Sequence, residues 1–161
     1  MSAPDPTMAA VTEAVAQGHA GRREQARARL TGLWEQVGST GDPLHRVTIA
    51  HFLADLQDDV RDELAWDERA LAAVGELTDE RAQQHHTGLQ VRGFLPSLHL
   101  NLADCHRRLG HAGPARDHLA QAEAVVARLA DDPYGQLVRG GLEHVRAALE
   151  AGSTAPLPTA P

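Results

Sequence analysis

Apolar residues recur along this chain in steps of three and four, which is the spacing of one face of an α-helix. Glycine and proline residues interrupt the pattern at positions that suit helix ends. The pattern predicts one all-α domain over residues 7–150, between flexible tails at 1–6 and 151–161 that are rich in Ala, Pro, Ser and Thr. The predicted helices cover residues 7–19, 22–37, 43–58, 61–75, 79–92, 96–110, 114–130 and 134–150.

Local signals mark several of the helix ends. Gly21 separates the first two helices, and Asp42 is expected to cap the third helix, which Pro43 opens. Pro96 allows two interpretations, because proline cannot donate a backbone hydrogen bond inside a helix. It either begins the sixth helix or kinks one long helix over residues 79–110.

The clearest helix pair lies within residues 96–130. It contains alanines, which let two backbones approach closely, and leucines, which fill the seam between them. These residues flank a glycine turn on both sides: Leu102, Ala103, Gly110, Ala115, Leu119 and Ala122. The pattern is typical of a helix, a tight turn and a second, antiparallel helix.

Weaker copies of this pair occur earlier in the chain. In the middle copy, LAD at 53–55 repeats LAD at 102–104, and RDELA at 61–65 matches RDHLA at 116–120. The N-terminal copy keeps the spacing of the glycine, alanine and leucine, at Gly21, Ala26 and Leu30. We therefore interpret the chain as about three degenerate repeats, followed by a C-terminal helix that caps the last apolar face.

The pair at 96–130 resembles a tetratricopeptide (TPR) repeat, and residues 47–75 and 7–37 resemble it to a lesser degree. The resemblance implies a TPR-like superhelix of antiparallel helix pairs, in which the first helix of each repeat lines a concave groove. In the family, this groove holds a partner's peptide or a neighbouring helix. The resemblance therefore implies a non-catalytic protein- or peptide-interaction module. Residues 76–95 fall outside it.

The family pattern and a predicted kink select the candidate binding residues. The kink is expected because Gly93 and Pro96 interrupt the helical register, and it could open room for a ligand beside Arg92. The candidates from the groove and the kink are His51, Asp55, Asp58, Arg92, His99, Asn101, Asp104 and Arg108.

The same positions indicate the charge of the partner. Some family members clamp a partner's carboxylate with lysine and asparagine, but this chain has no lysine and only Asn101 matches. Asp55 and Asp104 would repel a carboxylate. Residues 55–68 carry seven acidic side chains, which form either a solvated helix face or an acidic wall. We expect a protein or peptide partner with basic or amine groups, or a second copy of the chain in a homo-oligomer.

Composition excludes several classes of function. The net charge of −7 argues against nucleic acid, because phosphate binding requires a positive surface. All 15 basic residues are arginines, so Schiff-base chemistry and a Walker phosphate loop are excluded. With no apolar run of about 20 residues, we expect no membrane span, no signal peptide and a cytoplasmic protein. No cofactor is implied, and Cys105 is expected to be a buried, inert thiol.

Histidine is unusually frequent, with 10 residues in 161. The alternative hypothesis is therefore a small-molecule or metal pocket, which could be enzymatic, lined by His51, Asp55, His99 and Arg92. His51 and Asp55 are spaced i,i+4 on one helix face and could chelate a metal, with His99 as a third candidate ligand. Against this, no two histidines are four residues apart and no HExxH motif occurs. Ordinary surface or hydrogen-bonded histidines remain the other interpretation.

Overall fold

A computed structural model describes residues 5–78, 80, 91–127 and 131–157, with the backbone alone for residues 91–94. Its regular elements are all α-helices and no β-strand occurs within these ranges, so the all-α prediction is confirmed. The helices are α1 Pro6–His19, α2 Arg23–Val37, α3 Pro43–Asp55, α4 Val60–Val74, α5 Val91–Arg108, α6 Ala112–Val126 and α7 Pro133–Glu150. Most of the helix predicted over 79–92, namely residues 79 and 81–90, lies outside the described residues.

Aspartate side chains cap the starts of four helices by accepting a backbone N–H of the first turn. The capping residues are Asp5, Asp42, Asp59 and Asp132. The sequence analysis predicts this role for Asp42, and Pro43 follows it in the first helical position, as expected. Asp5 also has a tertiary contact, because its Oδ2 atom lies 2.8 Å from Nε2 of His45 on α3.

Pro96 lies inside α5, which begins at Val91 and continues to Arg108. The interpretation that Pro96 begins the sixth helix is therefore wrong. The missing N–H of proline removes one backbone hydrogen bond, and packing compensates for it because Pro96 and Leu98 are both buried. A longer helix reaching back to residue 79 would cross residues outside the described part of the chain.

The chain divides into two compact units, Met1–Val91 and Arg92–Pro161. The expectation of one domain over residues 7–150 stays a prediction.

The first unit contains α1 to α4, and each helix packs on the next one in the chain. In addition, α1 packs on α3. The core is formed by Val11, Ala14, Leu30, Leu33, Ile49 and Leu53. Between α1 and α2 the backbones approach closely, because a Cβ atom added to Gly18 would lie 3.4 Å from Cβ of Ala26. Gly21 makes the turn between these helices with a φ of 89°.

The two tryptophans of the first unit connect α2 to α4. The rings of Trp34 and Trp66 meet edge to face, with 5.2 Å between their centroids. The guanidinium group of Arg69 covers the Trp66 ring at 4.3 Å from its centroid. Trp66 is therefore a packing residue within the acidic segment 55–68.

The second unit contains α5 from Arg92 onward, together with α6 and α7. Its core is formed by Ala103, Leu119, Ala122, Val126, Val138, Leu142 and Val145. Gly110 makes the turn between α5 and α6 with a φ of 81°, like Gly21 in the first unit. Cys105 is fully buried, as the sequence predicts.

Residues after α7 also contribute to the second unit. The guanidinium of Arg107, which is 2% exposed, donates to the carbonyl oxygen of Ser153 at 2.8 Å. Leu157 packs on the apolar core. Ser153 and Leu157 lie in the segment 151–161, for which the sequence predicts a flexible tail.

Among the helices that the structure describes, none combines the length and the apolar character needed to cross a bilayer.

The adjacent glycines of α7 provide a test of the packing in the second unit. A Cβ atom at Gly140 would meet nothing within 4 Å, whereas one at Gly141 would lie 2.7 Å from Cδ2 of Leu100. We expect Gly140→Ala to raise the free energy of unfolding by about 0.5–1 kcal/mol through helix propensity. Gly141→Ala gains the same propensity but must displace Leu100, so its net gain is smaller or negative. Urea denaturation followed by circular dichroism measures both variants, and equal gains would contradict this packing.

Candidate functional site

A small pocket in the first unit is formed by α1, α2 and α3. Its volume is about 170 Å³. The lining residues are Val15, Gly18, His19, Arg23, Leu30, Phe52, Asp55 and Leu56. The pocket therefore has apolar walls, with one carboxylate, one imidazole and one guanidinium among its lining side chains.

The carboxylate of Asp58, a predicted groove residue, is engaged within the first unit. It lies 3.4 Å from Arg23 and 3.5 Å from Arg27, both of which belong to α2. Arg23 also donates to the backbone carbonyl oxygens of Asp55 and Gln57, at 3.2 and 3.1 Å. The two arginines thus bind the connection between α3 and α4. Because they partly neutralise the Asp58 carboxylate, it would attract a basic partner less strongly.

Asp55 differs from Asp58 in this respect. Its side chain is exposed at the end of α3, and it lines the pocket. Within the described residues, the Asp55 carboxylate accepts no hydrogen bond. It is close enough to His51, one turn earlier on α3, to raise the pKa of that imidazole. A pairing of His51 with Asp55 in a binding site stays a prediction.

His51 also faces a buried carboxylate that the sequence analysis missed. Nδ1 of His51 lies 3.7 Å from Oδ1 of Asp67 on α4, and Asp67 is 0% exposed. Neither this nitrogen nor either Asp67 oxygen makes a hydrogen bond within the described structure. Burial raises the pKa of Asp67 to about 6, although His51 opposes this rise. Burial lowers the pKa of His51, but Asp67 and Asp55 outweigh that effect, so its pKa is raised.

Helical register could have identified Asp67 as buried. It lies three residues before Ala70 and seven before Val74, which share the buried face of α4. The sequence analysis offered a solvated face or an acidic wall for residues 55–68 as a whole, and neither interpretation separates Asp67 from its exposed neighbours.

The remaining candidate residues belong to the second unit. Asp104 accepts hydrogen bonds from Nη2 of Arg107 at 2.7 Å and from Nε of Arg108 at 2.9 Å, so two of the candidates, Asp104 and Arg108, pair with each other. Asn101 is half-buried on α5. The backbone of Arg92 is helical, and its side chain lies outside the described residues.

The pocket predicted from His51, Asp55, His99 and Arg92 draws its members from both units. His51 and Asp55 belong to the first unit, and Arg92 and His99 belong to the second. A pocket lined by all four residues stays a prediction.

Four histidines of the second unit form a continuous column, which we call the histidine column. Nδ1 of His99 lies 3.1 Å from Nδ1 of His118, and Nδ1 of His106 lies 3.4 Å from Nδ1 of His111. The rings of His106 and His118 connect the two pairs, with 5.6 Å between their centroids and 5° between their planes. The pKa of the His99 imidazole is lowered, mainly because the ring is buried and secondly because His118 lies nearby.

The register of the α5–α6 hairpin explains why these rings meet. His99 and His106 are seven residues apart on α5, and His111 and His118 are seven apart at the start of α6 and within it. Both facing pairs are centred between residues 108 and 109, in the turn. An antiparallel hairpin places such positions opposite each other. Spacing within a single helix does not reveal these facing pairs, so His111 and His118 were not predicted as site residues.

No protein-family model, no curated protein and no solved structure matches this chain.

The buried pair of His51 and Asp67 predicts a pH dependence of stability. A raised pKa in the folded state means that the folded protein binds more protons, so stability falls as pH rises through about 6. The raised pKa of His51 acts in the same direction. We therefore expect Asp67→Asn to gain about 1–2 kcal/mol relative to the wild type when the pH rises from 4.5 to 7.5.

Urea denaturation at both pH values measures this difference, and the comparison cancels any fixed packing cost of the asparagine. Glu68→Gln, at an exposed position of the same helix, is the matched control and should follow the wild type. An Asp67→Asn variant whose stability runs parallel to the wild type between the two pH values would contradict the raised pKa.

Proposed function

We propose that this chain is a non-catalytic, TPR-like interaction module that binds a basic segment of a protein or peptide partner. The observation that carries the proposal is the small pocket of the first unit, in which the Asp55 carboxylate lies among apolar side chains, and Arg23 of the same lining is already bonded to Asp58 and to backbone carbonyl oxygens. The neighbouring acid, Asp58, is already paired with arginines of its own unit.

The packing order of the first unit supports the TPR-like interpretation. In a TPR array, each helix packs on the next, and the first helices of successive repeats also pack on each other. The contacts of α1 with α2 and with α3, and of α3 with α4, follow that order. The pocket is lined by α1 and α3, which would be the first helices of two repeats, together with residues of α2.

The size of the pocket favours a side chain of a peptide over a small-molecule ligand. Its volume of about 170 Å³ is below the range of about 300–1,000 Å³ that is usual for small-molecule sites. The apolar atoms of Val15, Phe52 and Leu56 would pack against an aliphatic or aromatic side chain. The Asp55 carboxylate would then accept a hydrogen bond from a neighbouring lysine or arginine of the same peptide.

The charge of the chain supports the same partner. The net charge of −7 attracts a basic segment and raises its rate of encounter. A second copy of this chain is a weaker candidate, because two surfaces of equal negative charge repel each other.

A pair of labelled peptides tests the proposal. We expect a short fluorescein-labelled peptide with two leucines flanked by lysines to bind, as measured by fluorescence anisotropy. The same peptide with glutamates in place of lysines should bind at least about tenfold more weakly, which corresponds to about 1.4 kcal/mol. Asp55→Asn should lower the affinity for the lysine peptide about two- to fivefold, which is the usual contribution of an exposed ion pair.

Glu13→Gln is the matched control for Asp55→Asn, because it removes the same charge from an exposed position of α1 that does not line the pocket. It should leave the affinity nearly unchanged. Equal binding of the lysine and glutamate peptides, or equal losses in the two variants, would exclude Asp55 and its pocket as the binding site. Self-association without peptide binding would favour the second copy of the chain.

A further inference from the structure

The histidine column of the second unit contains two imidazole nitrogens at the separation found in a metal chelate. We propose that His99 and His118 bind a divalent transition-metal ion of the zinc class through their Nδ1 atoms. This site is independent of the peptide pocket, because all of its residues belong to the α5–α6 hairpin.

The separation of the two nitrogens fits one tetrahedral ion. Two imidazole nitrogens held at about 2.05 Å from a tetrahedral zinc ion lie about 3.3 Å apart. The Nδ1 atoms of His99 and His118 lie 3.1 Å apart. The ring centroids are 5.3 Å apart, farther than the nitrogens, so the two Nδ1 atoms face each other across the gap. This is the geometry of a hydrogen bond between the rings, and a tetrahedral ion beside the gap would require each ring to turn by roughly 35° so that the two lone pairs converge.

The protonation of the pair also suits a metal. Imidazole binds metal ions as the neutral form, with its other nitrogen carrying the proton. Burial lowers the pKa of His99, which favours the neutral form of this ring. Without metal, one Nδ1 must donate to the other at this distance. On binding, that proton moves to Nε2 of the same ring through solvent, and no net proton release is required.

The other two histidines of the column, His106 and His111, form a second pair nearer the turn. His106 lies next to His118, with 5.6 Å between the ring centroids, and it faces His111 at 3.4 Å between the Nδ1 atoms. This outer pair has nearly the same nitrogen separation, but His111 is exposed. We expect it to take a second ion more weakly, since exposed side chains must be ordered on binding.

Zinc titration of the full chain, expressed without an affinity tag, tests the proposal. Isothermal titration calorimetry with zinc chloride at pH 7.5 should show one tighter site, and magnesium chloride should show none, because magnesium prefers oxygen ligands. His118→Ala should weaken the tighter site at least about tenfold, since it removes one of only two protein ligands.

His144→Ala is the matched control, because His144 is an exposed histidine of the same unit on α7 and lies outside the column. It should retain the wild-type affinity. His111→Ala should retain the tighter site and lose the weaker one. His99 is buried, so His118, which is half-buried, is the better position for the variant, and circular dichroism verifies that each variant is helical.

A second readout does not depend on any variant. In NMR spectra of the wild type, the first equivalent of zinc should shift the imidazole signals of His99 and His118 before those of the other histidines. Equal losses of affinity in His118→Ala and His144→Ala would show binding by scattered histidines only. That result, or the absence of saturable zinc binding, would overturn the proposal.

Discussion

Each of two helical hairpins depends on one glycine that turns the chain between its helices. Gly21 and Gly110 have φ values of 89° and 81°, a left-handed conformation that costs other residues about 1–2 kcal/mol. Because the connection is short, the turn decides which side chains of the two helices face each other. A buried alanine and a buried leucine follow each glycine at the same spacing. The apolar core and the histidine column of the second unit both follow from this register.

Much of the fold could be predicted from the sequence, because its signals are local. Apolar spacing indicates helices, and an aspartate followed by proline indicates a helix start, as at Asp42 and Pro43. Pro96 was harder to interpret, because a proline begins a helix or lies inside one according to the packing around it. Its burial on α5 is a tertiary property that no local pattern contains. The arrangement of the helices as a TPR-like superhelix remains a proposal, supported by the packing order of α1 to α4.

The candidate site could be predicted less well, because its chemistry depends on side chains from different helices. The spacing of His51 and Asp55 was sufficient to pair them, since both lie on α3. The arginines of α2 that engage Asp58 come from about thirty residues earlier, beyond the reach of a local pattern. Asp67 was hidden among exposed acids. Charges that look available in the sequence are thus partly satisfied within the protein.

The turn at Gly110 sets the register that brings histidines of α5 and α6 together. The most direct test of this register is the tautomer of each imidazole. Long-range proton–nitrogen NMR correlations, recorded at pH 8 in the absence of metal, show which ring nitrogen carries the proton. At 3.1 Å the two Nδ1 atoms require one donor and one acceptor. We expect one ring of the pair His99 and His118 to carry its proton on Nδ1 and the other on Nε2. Protons on Nε2 in both rings would contradict the register.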